Sequence, residues 1–212
     1  MIRLDIWSDP ICPWCLIGKA QLDRALESRP AHPFAIHWQP FQLNPDMPPE
    51  GMARDAYLAL KFGDAQGVLD AYRPVVEAAE AAGVTLDLPA ITRTPDTLNA
   101  HRLIHWAGLE GRQNAMVAAL FRAYFRQGRD IGDLETLAEI AEGIGMDRAM
   151  TARLLASDAD RDTILERACA ARARGMQGVP CFILDGQHVL TGAQPAELWQ
   201  QVIDALTQDG GA

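Results

Sequence analysis

Cys12 and Cys15, separated by Pro13 and Trp14, place two thiols one helical turn apart, close enough to form and break a disulfide without large backbone movement. Disulfide exchange needs this pair: one thiolate attacks a disulfide sulfur, and a second thiol held nearby resolves the mixed disulfide. Upstream, Ile2, Leu4 and Ile6 alternate with Arg3 and Asp5 and lead into Trp7, the pattern of a strand. Downstream, Leu16 to Leu26 carries apolar residues at helical spacing, so Cys12 falls where a strand hands over to a helix. There it faces unpaired N–H groups and the positive end of the helix dipole, which favour thiolate over thiol. Pro13 and Trp14 add no charged partner.

The chain that must position this pair has 212 residues, 49% of them hydrophobic, enough for one well-filled domain or a smaller domain with a large insertion. A net charge of -9 argues against a nucleic-acid or anionic-membrane partner, either of which selects a basic face. No apolar run approaches the length needed to span a bilayer. The opening residues Met1-Ile2-Arg3-Leu4-Asp5 read as a strand rather than a secretory leader, which predicts a cytoplasmic protein. Four cysteines are too few for a disulfide scaffold, so the Cys12/Cys15 pair reads as catalytic.

Strand, cysteine turn and helix are followed by Phe34 to Pro40, a second strand ended by proline. Pro45, Pro48 and Pro49 mark a connection that leaves the sheet. A long helical section follows. Within it Pro74 is expected to kink or split a helix over 65–82, and Thr94-Pro95 reads as an N-cap with proline at the first helical position. Met116 to Phe125, Leu134 to Ile144, Arg148 to Leu155 and Asp160 to Arg174 read as further helices. The pattern then reverts: strand Val179 to Leu184, an Asp185-Gly186 hairpin turn, return strand His188 to Thr191, and a last amphipathic helix Pro195 to Leu206. Its inner face is expected to carry Leu198, Trp199, Val202 and Leu206. The order is β-α-β, a helical insert, then β-β-α.

That order, with Cys-x-x-Cys at the first strand-to-helix turn, resembles a thioredoxin fold interrupted by a helical domain, as in the DsbA group. The run Ser8 to Lys19, the segment Asn99 to His105, Gly178-Val179-Pro180 and Thr191 to Pro195 are similar to the FrnE-like branch, cytoplasmic relatives of DsbA. The resemblance implies an α/β, thioredoxin-like fold with a large inserted all-helical domain: 1–45 and 176–212 form the discontinuous thioredoxin-like domain, and 46–175 the insert roofing the site. It implies a thiol-disulfide oxidoreductase or disulfide isomerase, with Cys12 the exposed nucleophile and Cys15 the buried resolving thiol. Pro13 and Trp14 then shape the site. Pro180, its bond to Val179 in cis, sits against the cysteine pair, although X-Pro bonds are mostly trans and the residues alone predict trans. The exposed backbone of Val179 then pairs with an extended disulfide-containing protein or peptide, glutathione included. No bound cofactor is expected beyond the redox disulfide. The kappa-type glutathione transferases and 2-hydroxychromene-2-carboxylate isomerases resemble the chain in fold too. They carry serine at the first catalytic position, and this chain has Cys12.

Other residues read more plainly. Cys181 alternates into the sheet core and Cys169 packs among alanines on a helix. His101 and His105, four apart, share a helix face and with the cysteines match a zinc ligand set, but the blander reading is interface histidines and no metal. His101 can still tune the Cys12 thiol. Asp9-Pro10 shapes the turn. Trp14 is expected to be exposed, while Trp7, Trp38 and the Phe121, Tyr124, Phe125 stripe are expected in the core.

Overall fold

A computed structural model describes residues 1–209. Strand β1 (Ile2–Ser8) and β2 (Phe34–Pro40) pair in parallel, Ile2 opposite Phe34 through Ser8 opposite Pro40, joined by helix α1 (Pro13–Ser28). Strand β5 (Cys181–Leu184) lies antiparallel on the other side of β1, Trp7 opposite Cys181, and β6 (His188–Thr191) returns beside it, giving the order β2-β1-β5-β6. Asp185 and Gly186 both adopt positive φ, 51° and 70°, in the tight turn that the Gln187 N–H closes on Leu184 O at 3.0 Å.

Between β2 and β5 run a two-residue strand β3 (Met52–Ala53), α2 (Arg54–Phe62), α3 (Ala65–Ala81), a 3-10 turn (Leu88–Ala90) and β4 (Arg93–Thr94). They are followed by α4 (Leu98–Leu109), α5 (Gln113–Gln127), α6 (Leu134–Gly143), α7 (Arg148–Leu155) and α8 (Arg161–Ala173). Asp64, Asp133 and Asp147 cap α3, α6 and α7, each accepting an N–H three residues on. The last helix is α9 (Ala196–Asp209).

The insert is therefore not wholly helical: β3 and β4 pair antiparallel, Met52 opposite Thr94. That pairing claims Thr94 for a strand, so α4 starts at Leu98 after Thr97 rather than behind Thr94-Pro95. Pro74 does not split α3. It sits on the exposed face, as does Asp70, whose carbonyl it leaves without an N–H donor. Cys169 is exposed, since α8 buries Ile164, Ala168 and Ala171 instead. On α9 the buried residues are Ala196, Trp199 and Ile203, with Leu198, Val202 and Leu206 only half-buried.

One hydrophobic core joins the sheet to the insert. It runs from Leu4, Ile6, Leu22 and Phe182 to Leu103, Leu120 and Phe121. Trp199 packs edge-on against Phe182 and Phe34, with ring centroids 4.8 and 6.4 Å apart. Helices α4, α5 and α8 pack on β2, and α3 packs on α1, so the insert closes over the cysteine turn from two sides. No described helix is long and apolar enough to cross a membrane.

Candidate active site

The cysteine turn is held by its own backbone. Cys12 is the N-cap of α1 in an extended conformation, and Pro13 begins the helix, where its missing N–H removes no bond. The Cys12 N–H donates to Asp9 O at 2.9 Å, and Cys12 O accepts from the N–H groups of Cys15 and Leu16 at 3.1 and 3.3 Å. The Cys12 thiol reaches Val179 O at 3.6 Å across 167 residues of sequence, and the Val179–Pro180 bond is cis. Gly18 permits this approach. A Cβ there would stand 3.1 Å from Pro180 Cγ and 3.3 Å from Phe182 Cζ, so α1 packs on the proline loop without a side chain between them.

Burial pushes Cys15 well above the ordinary thiol range; the Cys12 sulfur pushes the same way, against weaker hydrogen bonds from Ser8 and the Asp9 backbone. Cys12 is not the exposed nucleophile the resemblance implies. It is 3% exposed and belongs to the core cluster, because the insert packs over the turn. Trp14 is half-buried rather than exposed, packed against the cluster of Ile17, Val75, Ala79, Ala82 and Val84. Trp7, placed in the core by the sequence pattern, is also half-buried. With Val179, Pro180, Cys181, Arg174, Met176 and Thr191 it lines a groove of about 610 Å³ on the outer face of β5. Cys12 is not in its wall but meets it at Val179. Cys181 is buried as expected, and burial raises its thiol pKa.

Asp9 does more than shape the turn. Its side chain is sealed from solvent, with Oδ2 accepting the Leu43 N–H at 2.7 Å and Oδ1 accepting the Ile11 N–H at 3.3 Å. Burial raises its pKa to about 7; hydrogen bonding pulls downward and nearby Asp96 pushes upward. His101 Nε2 lies 4.0 Å from Asp9 Oδ1 and 3.3 Å from Phe41 O. A carbonyl only accepts, so this nitrogen carries the proton. Burial lowers the His101 pKa to about 4, leaving the ring neutral near pH 7. Near pH 7 His101 therefore carries no positive charge that could act on Cys12. His105 lies elsewhere, in a groove with His37 and Arg167. Among the described residues no cluster of three or more His, Cys, Asp or Glu side chains is arranged to hold a metal ion.

Arg102, in the Asn99 to His105 segment, is positioned for structure. Its guanidinium donates to the carbonyls of Leu154, Leu155, Ser157 and Ala159 and to Asn99 Oδ1, tying α4 to the end of α7, and it stacks on Trp106 at 4.9 Å.

A family model described as a DSBA-like thioredoxin domain matches residues 3–204. The fold is similar to that of a probable DsbA oxidoreductase, SCO1869, from Streptomyces coelicolor: TM-score 0.84, 32% identity, all of this chain and 91% of that one. It is also similar to a 2-hydroxychromene-2-carboxylate isomerase (TM-score 0.73, 20% identity, 98% and 97% covered). A third likeness is to the cytosolic disulfide reductase DsbM from Pseudomonas aeruginosa (TM-score 0.70, 19% identity, 97% and 98% covered), a protein also known with GSH. With its Cys-x-x-Cys pair at the first strand-to-helix turn and its cis proline beside that pair, the chain belongs to the family of DSBA-like thioredoxin domains.

Proposed function

We propose that the chain is a cytoplasmic thiol-disulfide oxidoreductase that reduces or isomerises disulfides through Cys12 and Cys15. The observation that carries this reading is the Cys12 sulfur at the start of α1, one helical turn from Cys15 and 3.6 Å from Val179 O beside the cis proline. Burial keeps Cys15 a thiol, so attack begins at Cys12. The Cys12 thiolate attacks one sulfur of a substrate disulfide; that S–S bond breaks, a mixed disulfide forms, and the other sulfur leaves as thiolate. Cys15 then gives up its proton to the departing thiolate and attacks the Cys12 sulfur. The substrate leaves reduced by two electrons and Cys12–Cys15 is the new disulfide. Two thiols from a reducing pool, glutathione by chemical class, return the pair to dithiol and leave as one disulfide.

Substrate binding follows from the same geometry. The groove beside Val179 and Pro180 suits an extended peptide laid along β5, with Trp7 as an apolar wall and Trp14 shaping the approach. The rival reading, a glutathione-dependent transferase or isomerase, needs one polarising group at position 12 and no partner at 15. Turnover of a disulfide-bonded reporter peptide in glutathione buffer tests the proposal. Wild type should cycle and Cys12→Ser should be inactive; equal turnover in Cys12→Ser would refute it.

A further inference from the structure

Arg54 opens α2 with only 8% of its surface exposed, yet no carboxylate lies within 4.0 Å of it among the described residues. A guanidinium taken from water is costly without a counter-charge. Its partners are all neutral: Nη1 donates to Thr94 Oγ1 at 3.0 Å and to Tyr124 Oη at 3.5 Å, and Nη2 donates to Tyr72 Oη. The charge also stands 5.5 and 5.8 Å from the rings of Tyr57 and Tyr72. These contacts hold the cation in place and leave it without an anion.

Arg54 also forms part of the wall of a groove of about 550 Å³ between α2 and α3. The other lining is mostly aliphatic: Leu58, Val68, Leu69, Val76 and Leu88, with Tyr72 beside Arg54. Leu69 is 60% exposed and Val76 38%, so this wall is open and apolar. Arg73 and Glu77 stand at the rim, and Arg73 is already paired with Asp70 at 3.0 Å. A greasy groove of small-molecule size with one buried, anion-free guanidinium is complementary to a molecule with one charged end.

We infer that the α2–α3 groove is a binding site for a small apolar monocarboxylate, its tail along Leu58, Leu69 and Val76 and its carboxylate on Arg54. No cysteine lines this groove, although Tyr72 stands within electrostatic reach of Cys12, and the assignment does not depend on the exchange reaction. Calorimetric titration with octanoate, and with 1-octanol as its uncharged counterpart, tests it. Octanoate should bind wild type with a stoichiometry of one and at least tenfold more tightly than octanol. Leu69→Glu, at an exposed position, should weaken octanoate at least tenfold while leaving the thermal midpoint of unfolding unchanged. Arg54→Gln should bring octanoate down to the level of octanol. Reduced glutathione, which has carboxylates and no apolar body, should not compete. Equal binding of octanoate and octanol to wild type, or unchanged binding to Leu69→Glu, would overturn the assignment. So would a dimer that Leu69→Glu dissociates and octanoate does not, because the groove would then belong to a second copy.

Discussion

Asp9 Oδ1 lies 4.0 Å from His101 Nε2, directly behind the cysteine turn, and both side chains are sealed from solvent. Burial drives their pKa values in opposite directions, Asp9 up to about 7 and His101 down to about 4, so across the mildly acidic range both are neutral in the fold. Unfolded, Asp9 returns to 3.8 and His101 to 6.5. As pH rises from about 4 to about 7 the unfolded chain gives up the Asp9 proton while the fold keeps it, so Asp9 lowers stability across that window. As pH rises from about 4 to 6.5 the unfolded chain sheds a His101 proton that the fold never held, so His101 raises stability. Each contribution is worth roughly 3 to 4 kcal/mol at its limit, and in the wild type they oppose one another. Asp9→Asn should leave a stability that climbs with pH from 4 to 6.5, and His101→Gln one that falls from 4 to 7. Thermal midpoints at four or five pH values check this; curves parallel to the wild type would contradict it.

Gly18→Ala should slow exchange more than it unsettles the fold. Alanine favours the helix by about 1 kcal/mol over glycine, which offsets part of the packing cost. The new methyl would press on Pro180 Cγ, Phe182 Cζ and the Ala193 backbone at 3.1 to 3.4 Å, and Pro180 adjoins the carbonyl that Cys12 touches. Displacing that loop should lower the second-order rate constant with a disulfide by about tenfold or more. Stopped-flow tryptophan fluorescence measures the rate, and an unchanged rate would show that the α1–Pro180 contact does not position the site.

Arg102→Met should destabilise by about 3 kcal/mol or more, because four backbone carbonyls near the end of α7 lose their donor together. Urea denaturation reads the change. A loss under about 1 kcal/mol would mean that water replaces the guanidinium there.

The sheet and the cysteine turn were legible in the sequence because their signals are local. Alternation set β1, Phe34 and Pro40 bound β2, and Asp185-Gly186 set the hairpin. What escaped depends on contacts distant in sequence. Nothing near Asp9 announces that the Leu43 N–H, 34 residues on, will bond its carboxylate, or that His101 will bury beside it. Thr94 carries a good cap signal, and only its pairing with Met52 overrides it. The burial of Cys12 and Trp14 likewise follows from helices inserted far away in the chain, and the exposure of Cys169 from which side of α8 meets the core.

In the proposed reaction Cys12 and Cys15 act as attacking and resolving thiols of one exchange centre. Mass spectrometry of Cys15→Ser after incubation with glutathione disulfide tests it most directly. One glutathionyl group should be retained on Cys12, whereas wild type under the same conditions should carry none and have closed the Cys12–Cys15 disulfide. An unmodified Cys12 in the variant, or a variant that turns over disulfide as fast as the wild type, would contradict it.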